Sequence, residues 1–535
     1  MGDQYEFGLH NNSAVNLERG LMERVFYVKN PNREKDSDPE FVPTPQPLPG
    51  QFRKLNKYRK DIVRSVGRRS RITHEMFLAY YTGPKLATYT KAVESLSERA
   101  VCPRDAHLKT FVKAEKLNLT KKPDPCPRVI QPRDPRYNVE IGCYLKHIEH
   151  PIYKAIDRLW GSKTIFKGMS VESMGNEIHK KMRKYPRPCA IGFDASRFDQ
   201  HVSVEALRYE HSIYNKIHGY PEQLQTLLKW QVHNTGSAYA SDGNFKYSVD
   251  GCRMSGDMNT SLGNCILAAL ISKELVDKLG VDAELINNGD DNVLICPADD
   301  EDVVREHLYR HFLDYGFEVV AEEPKYITEQ VEFCQMQPVF DGHQYIMVRN
   351  PTVSMSKDSH SITPFYSATS MRKWIRAVGE CGLSLTGGIP IKQEYYKCYI
   401  RNGMAKSNIH KSKEFASGFY NLSQLSSRKE QPIAPEARYS FYLAFGYTPD
   451  EQVAIENYFS TLTLEADFSE AGTPAKTPAC LLLQLIPTQP TTSSPAKAKT
   501  ANRTTELQDS TSEQDSPGAQ TIQPSPGTIA PQRTS

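Results

Sequence analysis

Two groups of aspartates follow apolar stretches of the chain. Asp194 comes directly after the apolar run CAIGF, and Asp199 follows five positions later. In INNGDDNVLI, Asp290 and Asp291 lie between two apolar runs with no basic residue beside them. Carboxylates crowded together repel one another unless a divalent cation neutralises them. Oxygen-only ligands suit Mg²⁺ or Mn²⁺ better than zinc, so the two groups together predict a site for such an ion.

Each group has an ordinary structural explanation when it is taken alone. An aspartate at the end of a strand usually forms a turn or caps a helix. Gly-Asp-Asp occurs by chance in about one of ten chains of this length at average residue usage. The metal-site hypothesis therefore depends on finding both groups in one chain.

A third polar segment, RMSGDMNTSLGNCILA, lies between the two aspartate groups. Ser255 and Gly256 favour a loop, and an apolar helical pattern begins near Ser261. Thr260 and Asn264 are four residues apart and would share one side of that helix. The residues alone leave two interpretations open, since a helix N-terminus with ordinary caps has the same pattern.

The elements that would position these residues follow an α+β pattern. Apolar runs before Asp194 and on both sides of the Gly289-Asp290-Asp291 turn are typical of strands, and the second pair predicts a hairpin. Longer stretches with apolar residues at helical spacing predict helices. We expect strands or hairpins at 189–193, 283–296, 317–321 and 331–348, and helices at 202–218, 261–279 and 301–315.

Length and composition limit the classes of protein that fit. A chain of 535 residues exceeds the size of one hydrophobic core, so we expect several subdomains around a shared cleft. The net charge of +3 is too small to identify a nucleic-acid binder by itself. The 11 scattered cysteines include no Cys-x-x-Cys pair, which argues against a disulfide framework or a zinc knuckle. No signal peptide is evident, and no apolar run approaches the ~20 residues of a transmembrane segment.

One stretch of the chain concentrates basic residues. The segment from Arg53 to Arg71 contains nine of them and a single acid, Asp61. Two interpretations remain open, namely a solvated basic helix face and a surface that follows RNA phosphates.

The three polar motifs, in this order, resemble motifs A, B and C of viral RNA-dependent RNA polymerases. The resemblance is specific to the tombusvirus-like group, which includes carmovirus, luteovirus and umbravirus relatives, and it extends from about Leu9 to Phe459. The matching strings are LHNNSAVNLERGLMERVFYV, FVKAEKLN, PRVIQPRDPRYNVEIGCYL, GFDASRFDQHVS, RMSGDMNTSLGN, NNGDDN and VEFCQMQPVF.

The resemblance implies an α+β right-hand polymerase with fingers, palm and a helical thumb. We expect an N-terminal arm and Pro-rich linker at 1–50, fingers at 51–187, and a palm at 188–335 with a fingers insertion near 203–247. A primer-support hairpin and the thumb would follow at 336–468. The remaining residues, 469–535, contain no aromatic residue and many Thr, Ser, Pro, Gln and Ala, a composition that predicts a disordered tail.

The resemblance also implies an activity, which is replication of a positive-strand viral RNA genome by template-directed joining of ribonucleoside triphosphates. Asp194 and Asp290, supported by Asp291, would hold two Mg²⁺ or Mn²⁺ ions, and Lys325 would be the general acid that protonates pyrophosphate. The residues implied to bind the nucleotide are Lys113, Lys116 and Arg128 on the triphosphate, and Asp199, Ser255, Thr260 and Asn264 on the ribose 2′-hydroxyl.

The implied partners are template and product RNA, ribonucleoside triphosphates and an auxiliary viral replication protein. We expect the chain in the host cytoplasm, recruited by that partner to membrane-associated replication complexes. Two rival functions remain open. A catalytically silent RNA-binding or structural protein would need only the basic segments. A reverse transcriptase should carry a bulky group that excludes the 2′-hydroxyl in place of the polar pair Asp199 and Asn264.

Overall fold

The computed structural model describes residues 7–30, 33, 40–362, 365, 367–404 and 418–464, together with the backbone of 484–485 and 520–521. The fold is α+β, as the sequence predicts. Its helices are α1 (Ala14–Leu21), α2 (Asn56–Val66), α3 (His74–Leu78), α4 (Gly83–Glu98), α5 (Pro135–Leu145), α6 (Glu149–Trp160), α7 (Val171–Met182), α8 (Phe198–His201), α9 (Val204–His218), α10 (Glu222–Val232), α11 (Thr260–Leu279), α12 (Glu301–Asp314), α13 (Pro351–Asp358), α14 (Ala368–Thr386), α15 (Lys392–Asn402), α16 (Gly418–Ser423), α17 (Pro435–Phe445) and α18 (Pro449–Thr461).

The strands form small sheets between these helices. They are β1 (Phe7–Leu9), β2 (Tyr27–Lys29), β3 (Phe41–Pro43), β4 (Leu108–Val112), β5 (Leu117–Asn118), β6 (Val129–Ile130), β7 (Pro188–Ala195), β8 (His233–Tyr239), β9 (Asn244–Asp250), β10 (Glu284–Asn288), β11 (Asp291–Pro297), β12 (Val319–Ala321), β13 (Met336–Phe340), β14 (Tyr345–Arg349), β15 (Gln484–Leu485) and β16 (Gln520–Thr521). Short π and 3₁₀ turns lie at Met22–Phe26, Gln51–Leu55, Pro103–Ala106, Ala298–Asp300 and Thr328–Gln330.

A four-stranded antiparallel sheet, in the order β10-β11-β7-β12, lies at the centre of the molecule. Its two faces contribute to two different hydrophobic clusters. Ile191 and Leu294 pack in the cluster that contains α11 and α12, whereas Ala190 and Val293 pack in the cluster that contains α7. Burial on both faces explains why β7 and β11 are continuous apolar runs instead of alternating ones.

The predicted helices and hairpins around this sheet are confirmed, with bounds within a few residues of the expectation. The helix α11 is buried almost all round, from Leu262 to Val276, and its N-terminus points to the same end of the sheet as the aspartates. The hairpin β13–β14 turns at Gly342, whose φ of 99° favours glycine.

A second sheet joins distant parts of the chain. The hairpin β8–β9 pairs in parallel with β4 through Leu108 and Gly236, and β4 pairs with β6. The helix α1 packs Leu17 and Leu21 against this sheet. Two dipeptides beyond 464 add short parallel pairs, β15 to β1 and β16 to β9. The rest of the predicted tail, 469–535, lies outside the described residues.

From its apolar periodicity, the stretch between residues 51 and 187 is predicted to contain no long regular element, and this prediction is wrong. The structure places α2, α4, α5, α6 and α7 there. Prolines contributed to the error, because Pro84 and Pro135 lie in the first turns of α4 and α5. Proline lacks only a donor that the first helical turn does not use, so it is favoured at these positions.

A mostly helical C-terminal part follows the β13–β14 hairpin. At its base, Arg349 forms an ion pair with Asp358, and Tyr396 donates to the same carboxylate at 2.7 Å. Lys392 is buried beside them and donates to Ser354 at 2.6 Å. Among the residues that the structure describes, no helix has the length and apolar character that a membrane crossing requires.

Candidate active site

The strand pairing brings the two aspartate groups together. Asp291 begins β11 directly opposite Asp194 near the end of β7. Residues opposite each other on antiparallel strands point to the same face, so both carboxylates lie on one side of the sheet end. Asp290 precedes Asp291 in the turn, which uses the positive φ of Gly289 (87°). Asn287 holds this turn, because its amide donates to the Gly289 carbonyl at 2.8 Å.

All three aspartates are exposed to solvent at this end of the sheet, although part of each environment is protein and not water. Burial, followed by the charge of Asp290, raises the pKa of Asp194 above its ordinary value. The same two causes raise the pKa of Asp291 to about 6. A proton is therefore easier to retain here than in water, because neighbouring negative charges disfavour the ionised form.

This crowding of oxygen ligands fits a hard divalent cation. In the described part of the chain, no three or more His, Cys, Asp or Glu side chains already surround one point as a finished metal site. The sheet end nevertheless supplies only carboxylate oxygens, and their mutual repulsion is what a divalent ion would relieve. Lys122 is the basic residue whose charge acts on Asp194, and the sequence analysis did not assign it a role. The sequence feature that could have indicated Lys122 is its position in a Pro-rich basic loop.

A tight turn lies against the aspartate hairpin. Phe333 and Met336 form a two-residue turn, and the intervening Cys334 and Gln335 have φ values of 52° and 60°. The Cys334 thiol lies 3.5 Å from a carboxylate oxygen of Asp291. Left-handed backbone at two non-glycine residues is costly and is concentrated at functional sites.

The structure also brings together two residues predicted to read the sugar. The Asn264 amide donates to Asp199 Oδ1 at 2.7 Å, from the first turns of α11 to the short helix α8. Burial raises the pKa of Asp199, although the Asn264 hydrogen bond and Arg253 act in the opposite direction.

The other two predicted sugar contacts have different partners. The Ser255 hydroxyl donates to the Val129 carbonyl at 3.2 Å and accepts from the Gln131 amide. The Thr260 hydroxyl donates to the Met254 carbonyl at 2.8 Å. Ser255 thus ties its loop to β6, and Thr260 stabilises the start of α11, so neither hydroxyl is joined to the Asp199–Asn264 pair by a direct hydrogen bond.

The predicted triphosphate residues divide into two positions. Lys113 and Arg128 both form ion pairs with Glu115, at 2.8 and 3.2 Å. Lys116 instead turns to the C-terminal part, where its ammonium donates to the Lys357 carbonyl at 2.7 Å. Burial lowers the pKa of Lys116 to about 8. Lys113 and Arg128 therefore remain a basic pair, whereas Lys116 joins two parts of the fold.

Lys325, the predicted general acid, lies further down the central sheet. Its backbone pairs with Ala190, four residues before Asp194 on β7. Four residues of strand correspond to about 13 Å, so only a long side chain directed along the sheet would approach the carboxylates. Lys325 lines a cavity of about 440 Å³ with Glu322 and Glu332, and its charge acts on Glu322.

The basic segment at 53–71 lies away from the aspartates. Tyr58 and Lys57 of α2 contact Asp277, near the C-terminal end of α11, whereas Asn264 lies near its beginning. Asn264 and Asp277 are 13 positions apart along this helix, which corresponds to roughly 20 Å. Lys60 and Arg64 are exposed on the outer face of α2, and both interpretations of this segment remain open.

A larger cavity adjoins the aspartate hairpin on the side of the C-terminal helices. Its volume is about 910 Å³, and Asn288 and Cys334 form part of its wall. Basic side chains line it as well, namely Lys113, Lys116, Lys167, Arg349 and Lys357. The space is large enough for nucleotide-sized groups and carries the charge that phosphates prefer.

Comparisons with known proteins identify the family to which this sequence is similar. The family model described as viral RNA dependent RNA polymerase matches residues 1–467. An RNA-directed RNA polymerase of Panicum mosaic virus is 70% identical over 497 residues, which cover 92% of this chain and 50% of that protein. That of Maize chlorotic mottle virus is 62% identical over 492 residues, covering 92% and 50%. That of Turnip crinkle virus is 51% identical over 476 residues, covering 88% and 60%. The chain spans about half the length of the first two relatives.

Proposed function

This chain belongs to the viral RNA-dependent RNA polymerase family, and we propose that it copies a viral RNA template by joining ribonucleoside triphosphates. The observation that carries the proposal is the placement of Asp194 opposite Asp291, next to the Asp199–Asn264 hydrogen bond. Nucleotidyl transfer with ribose selection requires carboxylates that hold metal ions, for which Asp194 and Asp291 are placed, and polar groups that bind the 2′-hydroxyl, for which Asp199 and Asn264 are placed.

Asp194, Asp290 and Asp291 would hold the divalent ions, Mg²⁺ or Mn²⁺. Two such ions, when bound, lower the pKa of the attacking 3′-hydroxyl and neutralise charge on the leaving pyrophosphate. The chain's own contribution is to fix the carboxylates on one sheet face, so that little rearrangement is needed when nucleotide arrives.

Other side chains bind and orient the substrate. Lys113 and Arg128 would contact the triphosphate, with Glu115 holding both until phosphate replaces it. Asp199 and Asn264 would accept and donate hydrogen bonds at the 2′-hydroxyl. Lys325 would supply the proton for pyrophosphate, with its side chain extended along the sheet toward Asp194.

We assign the parts of the fold to a right hand. The central sheet with α11 and α12 corresponds to a palm, the β4–β6–β8–β9 sheet and the helices of 51–187 to fingers, and α14 to α18 to a thumb. The larger cavity lies where these parts meet, and template and product RNA would occupy it. An auxiliary viral protein would recruit the chain to membrane-associated complexes in the host cytoplasm.

The test uses the purified full chain, a short RNA template, labelled ribonucleotides and Mg²⁺ or Mn²⁺. Template-dependent RNA product is expected from the unchanged chain and none from Asp290→Asn. A chain that binds RNA with or without this substitution, and never incorporates nucleotide, is instead an RNA-binding replication or structural protein. Preferred use of deoxyribonucleotides would indicate a reverse transcriptase.

A further inference from the structure

A buried ion pair lies directly behind the Asp199–Asn264 hydrogen bond. Arg253 is 1% exposed and Glu210 is fully buried. The Arg253 guanidinium donates to both carboxylate oxygens of Glu210. Asn259 and Tyr214 also donate to Glu210, each at 2.7 Å, so this carboxylate has several hydrogen-bond partners.

Arg253 also donates a hydrogen bond to the sugar-reading pair, Asp199 and Asn264. Its Nε donates to Asn264 Oδ1 at 3.1 Å. Arginine has only donors, and a carboxylate accepts, so Asn264 must present its oxygen to Arg253 and its nitrogen to Asp199. The backbone amide of Arg253 also donates to the Asp199 carbonyl at 2.8 Å. Both members of the pair are therefore held from one residue.

The helix α11 leaves room for this arrangement at Gly263. A Cβ there would collide with the Arg253 guanidinium and the Glu210 carboxylate. The glycine lies inside a helix, where it is unfavourable compared with alanine, so close approach of the ion pair is the physical reason for it.

We propose that Arg253 and Glu210 are positioning residues that fix the orientation of the Asn264 amide and thereby set ribose selection. This inference rests on the proposed function and adds to it the origin of the selectivity. The second amide hydrogen of Asn264 and the second oxygen of Asp199 stay directed at the 2′-hydroxyl. The Asn264 oxygen, its first amide hydrogen and Asp199 Oδ1 already have hydrogen-bond partners. Burial of an ion pair costs desolvation free energy, so a buried ion pair is weak evidence for a stabilising role. Fixing one geometry of the Asn264 amide is a role that can account for this cost.

The main test is Arg253→Lys in the full chain. Lysine keeps the positive charge for Glu210, but its one nitrogen cannot occupy both the position of Nε, which donates to Asn264, and the positions of the terminal nitrogens, which donate to Glu210. Single-nucleotide incorporation opposite a template adenine is measured with UTP and with dUTP, and kcat/KM is compared. We expect the ratio of the two to fall by roughly tenfold, with most of the change in the values for UTP.

A matched control separates positioning from stability. Lys181 and Glu284 form another buried pair, at 2.7 Å, that does not contact Asn264. Glu210→Gln and Glu284→Gln should both lower the unfolding temperature, and only Glu210→Gln should lower the UTP to dUTP ratio. If Arg253→Lys does not fold, the double variant Glu210→Gln/Arg253→Met is used in its place. Removing both charges together avoids an unpaired buried charge.

A double-mutant cycle with Asn264→Ala completes the test. If Arg253 acts through Asn264, Arg253→Lys should reduce the ratio no further once Asn264 is alanine. An unchanged ratio in folded Arg253 variants, or additive losses in the cycle, would overturn the inference. Absence of UTP incorporation by the unchanged chain would instead contradict the proposed function itself.

Discussion

Asp291 lies directly opposite Asp194 in the antiparallel pairing of β11 with β7, although 96 residues separate them in the sequence. This pairing places both carboxylates at one end of the central sheet, where burial, followed by the charge of Asp290, raises their pKa values. The relationship leads to the first prediction.

Asp194→Ala and Asp290→Ala should each reduce nucleotide incorporation by about a hundredfold or more, because each removes a ligand of the divalent ions. The unfolding temperature should stay equal or rise, since each substitution removes a like charge. Asp299→Ala, at an exposed residue beyond the far end of β11, is the control and should keep full activity. Near-normal rates from either active-site variant would refute the assignment.

Asn264→Ala should lower the preference for ribonucleotides over deoxyribonucleotides, because Asp199 loses its 2.7 Å partner. The loss of a buried polar partner costs ~1–3 kcal/mol, which corresponds to roughly a 5- to 150-fold change. RNA affinity, measured by fluorescence anisotropy, should change little. Asn176→Ala, on α7 and bonded to Gln344, is the control. An unchanged preference would exclude a sugar-reading role.

The N-terminal helix should affect nucleotide affinity through Glu23. This buried carboxylate pairs with Arg19 at 2.8 Å and with Arg197 at 3.3 Å, just after the Asp194 strand. Arg19 also pairs with Asp124 at 2.6 Å, in the loop between Lys113 and Arg128. Glu23 thus connects the aspartate strand to the loop that would bind triphosphate.

Glu23→Gln should raise KM for nucleotides about three- to tenfold, with a smaller change in kcat, because the loop loses one charged hydrogen-bond partner. Glu18→Gln, at an exposed residue of the preceding helix α1, should leave both parameters unchanged. Steady-state kinetics on a short template provide the measurement. Equal effects of the two substitutions would show that Glu23 does not connect these regions.

Lys392 should make stability depend on alkaline pH. Burial, and then the charge of Arg349, lower the pKa of this lysine to about 7. The unfolded chain therefore binds more protons than the folded one between about pH 7 and the ordinary lysine pKa near 10.5, so stability should rise with pH across this interval. The slope is at most about 1.4 kcal/mol per pH unit.

Lys392→Met should remove this contribution. Thermal unfolding would then show a smaller increase in stability between pH 7 and pH 9.5 than in the unchanged chain. Lys397→Met on the same helix is the control, because its pKa is raised and it stays charged throughout the interval. A wild-type-like pH dependence in Lys392→Met would count against a neutral buried lysine.

Removal of the residues after Phe468 should leave folding and polymerisation close to those of the full chain. The family match ends at 467, and the two described dipeptides beyond it contribute only two-residue pairings. The composition of this stretch offers no aromatic anchor. Loss of most activity without unfolding would mean that the tail belongs to the RNA channel or regulates it.

The sequence alone determined the elements around the aspartates. The apolar runs at β7, β10 and β11, the Gly289 turn and the helical spacing of α11 are local patterns, and each predicted its element within a few residues. The motifs also identified the family, because their order along the chain is visible in the sequence without knowledge of any tertiary contact. Helices before residue 188 were missed, since prolines in the first turns of α4 and α5 resemble breaks.

Only the tertiary structure decided which predicted residues meet. It joined Asn264 to Asp199, but it bonded Ser255 to β6, Lys116 to the Lys357 carbonyl and Lys325 to Ala190. It also placed Arg253 behind Asn264, which no spacing indicated. Local patterns depend on neighbouring residues, whereas these contacts depend on how strands and helices far apart in the chain pack around a common core.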